Sequence, residues 1–242
     1  MQSVFRFKQF DLKHGGSGMK LTTDSLLLGA WTEPYADVHT VIDAGSGCGV
    51  LALMCAQKFP EADIIGIDNS PDAYAESLEN FSASPWSDRL HAVLADINLE
   101  ISETNYSADL IICNPPYFTE TLRSPDSSRA KARHAGALSA ESIIKIAGRI
   151  LTPNGTLAIV IPYSHIQRLV LPASIAGLHI YREAHIVARQ NSKPSLALLQ
   201  YSKNTPSVNP SPSTIEIYDI QGHYSSAYRQ LTIPFLLHDK KA

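Results

Sequence analysis

Asn114-Pro115-Pro116-Tyr117 follows directly on an apolar run of strand length, Asp109 to Cys113, and is the most specific chemical signal in the chain. Two prolines after a buried strand make a rigid turn, which is the plainest reading of the segment. The residue types offer chemistry as well. An exocyclic amine conjugated to a ring is a poor nucleophile, because its lone pair is delocalised. The side-chain oxygen of Asn114 and the backbone carbonyl of Pro115 can both accept hydrogen bonds from such an amine, aiming it at an electrophilic carbon as the nitrogen becomes tetrahedral. Tyr117 supplies a ring on which a splayed-out base can stack, and that role needs the ring rather than the hydroxyl. With an already activated donor, neither a covalent nucleophile nor a metal is needed.

Asp43-Ala44-Gly45-Ser46-Gly47-Cys48-Gly49 forms a second constellation, between a strand-like run and the start of a helix. Glycines there let the backbone turn sharply and approach a ligand with no Cβ in the way, although such a loop by itself is also an ordinary tight turn. Asp68 ends the next strand-like run, about 20 residues on, where a carboxylate can accept hydrogen bonds from both hydroxyls of a ribose. Asp96 ends the run after that, placed to meet an adenine amino group with Ile97 packing nearby. Each Asp taken singly reads as a helix cap or turn residue; three consecutive strand ends converging on one ligand edge read as a site.

The elements that must position these groups alternate between apolar runs of strand length and segments of helical periodicity, the mark of a parallel sheet covered by helices. Thr40 to Asp43, Ile64 to Asp68, Leu90 to Ala95, Asp109 to Cys113 and Thr156 to Ile161 read as strands. Val50 to Lys58 and Pro71 to about Phe81 read as helices, as does a segment running to Leu151 with Ser139 as its N-cap. In that last helix Ser142 at the third position leaves a capping box incomplete, and Thr152 to Gly155 would end it. Leu178 to Val187 and Ser195 to Ser202 read as an antiparallel pair at the sheet's edge, and the Pro-, Ser- and Asn-rich stretch Lys203 to Ser213 as an exposed loop.

With 242 residues, 44% hydrophobic and 18% charged, the chain fits one globular domain spanning residues 1–242, with a short N-terminal segment of about 35 residues. A formal net charge of −3 excludes a wholesale polycation, so nucleic-acid binding requires a local basic patch. Cys48, Cys55 and Cys113 have neither the parity nor the spacing of a disulfide framework or zinc site. The N-terminus lacks the apolar stretch of a signal peptide, and no apolar run approaches the ~18 residues of a membrane span. The expectation is a cytoplasmic enzyme without membrane or metal partners.

The spacing of the glycine loop resembles the first motif of class I S-adenosylmethionine-dependent methyltransferases, Asp-x-Gly-x-Gly-x-Gly, more than the dinucleotide pattern Gly-x-Gly-x-x-Gly. That resemblance runs from Val41 to about Ile161. It implies a Rossmann-like α/β fold, a seven-stranded, mostly parallel sheet with one antiparallel strand, and S-adenosylmethionine as cofactor. The Asn-Pro-Pro-Tyr segment is similar to that of enzymes methylating adenine, cytosine or guanine amines, and of those methylating a glutamine amide in a protein. More of the chain resembles the bacterial adenine-37 N6-methyltransferases of valine transfer RNA. The matching features are Phe7-Lys8-Gln9-Phe10, Met19-Lys20-Leu21-Thr22-Thr23-Asp24 with Leu28-Gly29-Ala30-Trp31, Ser84-Pro85-Trp86, Arg133-His134, and Tyr224-Ser225-Ser226-Ala227-Tyr228.

The resemblance implies that Lys20, Thr23, Asp43, Gly45, Gly47, Gly49, Asp68, Asn69, Asp96, Ile97 and Asn114 hold the cofactor, with the N-terminal segment closing over it. Asn114, Pro115 and Tyr117 would be catalytic, and transfer RNA the partner. Substrate contacts would come from Tyr117, Phe118 and the basic stretch after it, which carries Arg123, Arg129, Lys131 and Arg133; a solvated loop is the alternative there. Lys8, with Arg6, Lys13 and His14 among Phe5, Phe7 and Phe10, could track RNA, or the rings could pack on the domain. Thr23 and Asp24 also read as an N-cap. His134 has no assigned chemistry. The competing functions are glutamine methylation and a catalytically silent RNA-binding module. A nicotinamide dehydrogenase fits less well, because the glycine spacing is wrong and no acid/base pair follows.

Overall fold

The structure, a computed structural model, describes residues 3–16, 21–34, 36–103, 106–117, 138–208 and 210–237. Its framework is an eight-stranded sheet. A two-stranded antiparallel hairpin, β1 (Ser3–Arg6) and β2 (Asp11–His14), precedes it. The sheet comprises β3 (Thr40–Ala44), β4 (Asp63–Asp68), β5 (Leu90–Leu94), β6 (Ala108–Cys113), β7 (Leu151–Pro162), β8 (His179–Val187), β9 (Leu196–Ser202) and β10 (Ser213–Glu216), in the order β10-β8-β9-β7-β6-β3-β4-β5. Only β9 runs against the rest: it pairs antiparallel with β7 and β8, and every other pairing in the sheet is parallel.

Side chains of the central strands alternate between two cores, as a pleated strand requires. Val41, Leu110, Ile112, Val160 and Leu198 face a core shared with α1 (Thr23–Trp31), α2 (Val50–Lys58) and α7 (Ser226–Thr232). Ile42, Ile111, Cys113, Ile159 and Leu199 face the other, shared with α4 (Ile97–Glu103), α5 (Ala140–Ile150) and α6 (Ile166–Ile175). Phe81, from α3 (Pro71–Ala83), packs into the first. The three cysteines are buried and free.

Three expectations need correction. The sheet has eight strands rather than seven: β10 starts at Ser213 and adds parallel to β8. Its four residues, Ser-Thr-Ile-Glu, are too few to show periodicity. The capping box at Ser139 is complete, because the Ser142 hydroxyl accepts the Ser139 N–H at 3.0 Å while Ser139 Oγ accepts the Ser142 N–H at 3.1 Å. A hydroxyl at that position thus does the work of a Glu. Thr152 to Gly155 belongs to the span of β7 as an irregularity, since Ala108 pairs with Leu151 and Leu110 already with Thr156.

Helix α1 is held at its carboxyl end by cations from two other elements. Lys58 Nζ donates to the Ala30 carbonyl at 2.8 Å and to that of Thr32. The Arg182 guanidinium lies 4.4 Å over the Trp31 ring and donates to Trp31 O at 2.9 Å and Gln200 Oε1 at 2.8 Å. Positive charge suits the carbonyl-bearing end of a helix, and the clamp fixes where the helix's other end points. Arg182→Ala should cost about 2–3 kcal/mol in denaturant-induced unfolding, from the lost cation–π contact and charged hydrogen bonds; an unchanged midpoint would show that the clamp carries no stability.

Candidate active site

From β3 the chain moves outward to β4 and β5 and returns to β6 on the other side, so β3 and β6 flank the point where strand order reverses. Open α/β sheets bind ligands beyond the carboxyl ends of such strands. The register pairs Val41 with Leu110, Ile42 with Ile111 and Asp43 with Ile112. Continued by two residues, it sets Gly45 beside Asn114 on strands about 4.8 Å apart. The glycine loop and the Asn-Pro-Pro-Tyr segment, distant in sequence, therefore share one crevice.

The loop is built for close approach. Gly45 and Gly49 take φ of 72° and 81°, left-handed values that a side chain resists, and a Cβ on Gly49 would run into the Phe81 ring. Gly45 and Ser46 donate to Ile67 O at 2.8 and 3.1 Å, and Gly47 donates to Asp68 Oδ2 at 2.9 Å. Asp68 Oδ1 accepts from Ser70 N at 2.9 Å. The half-buried Asp68 carboxylate thus secures the loop to β4, and each oxygen keeps a further lone pair for a ligand. Asp96 Oδ1 accepts from the backbone and side-chain nitrogens of Asn98 at 2.9 and 3.0 Å, at the start of α4. Asn69 is exposed, and Ile97 is packed in the core.

Asp43 is wholly buried. Its Oδ2 accepts the Ala52 N–H at 3.0 Å, while Oδ1 and the buried Ser46 hydroxyl have no partner among the described residues. Burial pushes its pKa up to about 7, against the Ala52 N–H and with a smaller contribution from the Asp68 charge. An unsatisfied carboxyl oxygen and hydroxyl in a glycine loop fit a cationic ligand, and the Asp68 carboxylate fits a sugar diol, so the residues suit S-adenosylmethionine.

On the other wall, Asn114 Nδ2 donates to Ser25 Oγ at 2.9 Å. Tyr117 Oη lies 3.1 Å from both Asn114 Oδ1 and Asp24 Oδ2. Burial, reinforced by the Asp24 carboxylate, pushes the Tyr117 phenol up, so it remains a donor. Its single proton serves one acceptor well at a time. This corrects the expectation that only the ring of Tyr117 matters. It also corrects the N-cap, which is Thr22, whose side chain accepts from Ser25 N at 3.3 Å; Thr23 is exposed in the first turn. Asp24 and Ser25 escaped sequence reasoning as partners of the Asn-Pro-Pro-Tyr segment, and their only signal was polarity at the head of an apolar helix.

A cavity of about 120 Å³ adjoins the segment, lined among others by Pro115, Pro116, Tyr117, Ser139, His165 and Arg168. His165 and Arg168 were also missed. Lys8 Nζ donates to Ile233 O at 2.5 Å and joins the N-terminal hairpin to the end of the chain. Phe7 and Phe10 stack on each other at 4.2 Å, and Phe10 meets Trp86 edge-on, so those two rings pack on the domain. Lys20, Phe118, Arg123, Arg129, Lys131, Arg133 and His134 lie outside the described residues.

Residues 22–183 match the methyltransferase small domain family. The chain is 36% identical over 240 residues to a protein of Porphyromonas gingivalis named tRNA1(Val) (adenine(37)-N6)-methyltransferase, covering 96% of this chain and 94% of that one. It is 34% identical over 237 residues to a protein of the same name from Bacteroides thetaiotaomicron, covering 98% of each. Among solved structures, a predicted O-methyltransferase from Agrobacterium tumefaciens shares the fold, with a TM-score of 0.63 at 15% identity, covering 88% of this chain and 96% of that one.

Two outcomes follow from this geometry. A carboxyl whose pKa rises from 3.8 to about 7 on folding makes the folded state bind the extra proton, so its stabilising effect is complete below pH ~4 and lost as pH rises through about 7. Asp43→Asn should therefore raise the melting temperature more at pH 8 than at pH 4, while weakening S-adenosylmethionine binding in calorimetry; an equal shift at both pH values would place the carboxyl's titration elsewhere. Tyr117→Phe should lower turnover about tenfold through lost alignment of Asn114, and wild-type turnover in steady-state assays would show the hydroxyl to be dispensable.

Proposed function

We propose that this chain, which belongs to the tRNA1(Val) (adenine(37)-N6)-methyltransferase family, transfers the methyl group of S-adenosylmethionine to N6 of an adenine in RNA, adenine 37 of a valine transfer RNA. The observation that carries this reading is the adjacency of Asn114 to the glycine loop across the β3–β6 register, with the Asn114 amide held by Ser25 and Tyr117. S-adenosylmethionine supplies a methyl group on a sulfonium, which leaves without further activation.

The chain's own residues do the orienting. Asp43 and the loop of Gly45, Gly47 and Gly49 take the charged end of the cofactor, and Lys20 and Thr23 are assigned to the same ligand. Asp68 and Asn69 take the ribose, and Asp96 and Ile97 flank the adenine. When the Tyr117 hydroxyl donates to Asp24, Asn114 Oδ1 is free to accept from the substrate amine. The Pro115 carbonyl provides a second acceptor, so both amine hydrogens are held and the lone pair is directed outward. The Tyr117 ring carries the extruded base. Phe118, Arg123, Arg129, Lys131 and Arg133 are assigned to the RNA, and Lys8 to its periphery. A transfer-RNA substrate makes the cytoplasm the place of action; among the described residues no helix is long and apolar enough to cross a membrane.

Incubation with labelled S-adenosylmethionine and unmodified transfer RNA, followed by nucleoside mass spectrometry, should yield N6-methyladenosine. Label appearing in protein glutamine instead, with none in RNA, would replace this reading by its rival. Asn114→Ala should lower the single-turnover rate on the order of 100-fold while changing RNA affinity only a few-fold, because alignment matters chiefly in the transition state. Near wild-type chemistry in that variant would rule out the role given to Asn114.

A further inference from the structure

Three tyrosines stack at the free edge of the sheet, beyond the carboxyl end of β10. Tyr218 and Tyr224 have ring centroids 5.5 Å apart at 15°, and Tyr224 and Tyr228 4.5 Å apart at 16°. Tyr228 is buried in the core, whereas Tyr224 is 45% and Tyr218 37% exposed. Tyr224 has a tyrosine on each face. The outer face of Tyr218 is the one that the stack leaves uncovered.

The backbone around the rings is tightly determined. Tyr218 and Tyr224 form an antiparallel bridge, closed by Asp219 N donating to His223 O at 2.8 Å. Asp219 Oδ1 accepts from Gln221 N and His223 N, both at 2.9 Å, and Gly222 takes φ of 87°. Ser225 Oγ then caps α7 by accepting from Tyr228 N at 3.0 Å. Burial explains Tyr228. It does not explain a braced turn that holds two half-exposed rings parallel, with Ile220 87% exposed at its tip.

Basic side chains stand beside this turn, with the Asp219 and Glu216 carboxylates close by. Arg189 Nη2 reaches within 3.9 Å of where a Cβ on Gly222 would stand. Arg189 and Lys193 are exposed in the β8–β9 connection and make no ion pair among the described residues. Asp219 Oδ1 holds the turn's own backbone, and Glu183 meets His185 at 2.6 Å. Because β6, β7, β8 and β10 share a direction and β9 opposes them, Tyr218, Arg189, Lys193, Tyr163 and the Asn114–Tyr117 segment all leave the same edge of the sheet. Tyr163, 38% exposed, stands on this path, edge-on to His185 at 4.8 Å. Four strand spacings separate β10 from β6, about 19 Å.

We propose that the outer face of Tyr218 is a stacking site for an unpaired base of the same RNA that delivers its adenine to Asn114, with Arg189 and Lys193 on the adjoining phosphates. This rests on the RNA-methylating function proposed above. A preformed ring face with exposed Arg189 and Lys193 in the neighbouring connection suits a planar base on an anionic backbone, and the separation suits a short single-stranded stretch between the two sites. Aromatic stacking is insensitive to salt, whereas phosphate contacts are not. The two contributions can therefore be separated.

The test uses the full chain and a fluorescently labelled RNA stem-loop with an adenine in its loop, titrated by anisotropy across salt concentrations, with N6-methyladenosine formation followed in parallel. Tyr218→Ala should weaken RNA binding about tenfold, raise the RNA concentration for half-maximal rate in proportion, and leave the salt slope and S-adenosylmethionine affinity unchanged. Tyr218→Phe should restore binding. The double variant Arg189→Gln with Lys193→Gln should flatten the salt slope, an outcome independent of any unfolding in Tyr218→Ala. RNA methylated by wild type but bound equally well by Tyr218→Ala and by the double variant overturns the stacking site and leaves the proposed function standing. A wild-type protein that methylates no RNA overturns both.

Discussion

The parallel pairing of β3 with β6 is the constraint on which the rest of the structure depends. These strands are separated in sequence by two helix-covered units, yet their carboxyl ends carry the glycine loop and the Asn-Pro-Pro-Tyr segment. Val41, Ile42, Leu110, Ile111 and Ile112 are fully buried, alternating between two cores. A slip of one residue would send every side chain to the opposite face, and burial of each Ile or Leu stabilises by about 1.5–3 kcal/mol. The register is consequently far stronger than any polar contact in the crevice. The glycine loop and Asn114 leave neighbouring strand ends because the core permits no other alignment.

That strength offsets an arrangement that is locally unfavourable. A fully buried carboxyl with one oxygen unsatisfied and a buried hydroxyl without a partner among the described residues both destabilise the fold. They coincide at the loop where a positively charged ligand would relieve them. The opposite wall is held differently. Ser25 and Asp24, at the head of α1, grip Asn114 and Tyr117, while Lys58 and Arg182 fix the tail of the same helix. One short helix thus transmits the position of the sheet's far side to the Asn114 amide.

Much of this was legible in the sequence, for reasons that also explain what was not. Strands β3 and β6 announce themselves because parallel strands buried on both faces are nearly continuous apolar runs, and α2 matches the reading from Val50 to Lys58. The reversed pairing of β8 with β9 followed from two β-rich runs around a turn. Features of four residues were lost: β1, β2 and β10 each span only about two repeats of a strand's alternation, too few to stand out. The candidate site was legible where one segment carries the chemistry, in the glycine loop and after β6. Asp24, Ser25, His165 and Arg168 were not legible, because their proximity to Tyr117 is set by tertiary packing and their residue types are ordinary helix-terminal ones.

The reversed strand gives the carboxyl edge a reach that an all-parallel sheet would lack. In a parallel pair the connection must cross the sheet, so successive strands present their ends to that edge singly, separated by helices. Here β8 turns directly into β9, and the connection, with Arg189 and Lys193, stays at the edge. Left there, β8 would expose an unpaired ladder of amides and carbonyls, a surface prone to pairing with another chain. The short β10 covers it, and the chain that follows supplies the tyrosine hairpin and the helix α7 that packs near α1. Extending the sheet's edge and furnishing it with aromatic rings are therefore a single structural event, which binds the far end of this surface mechanically to the helix that holds Asn114.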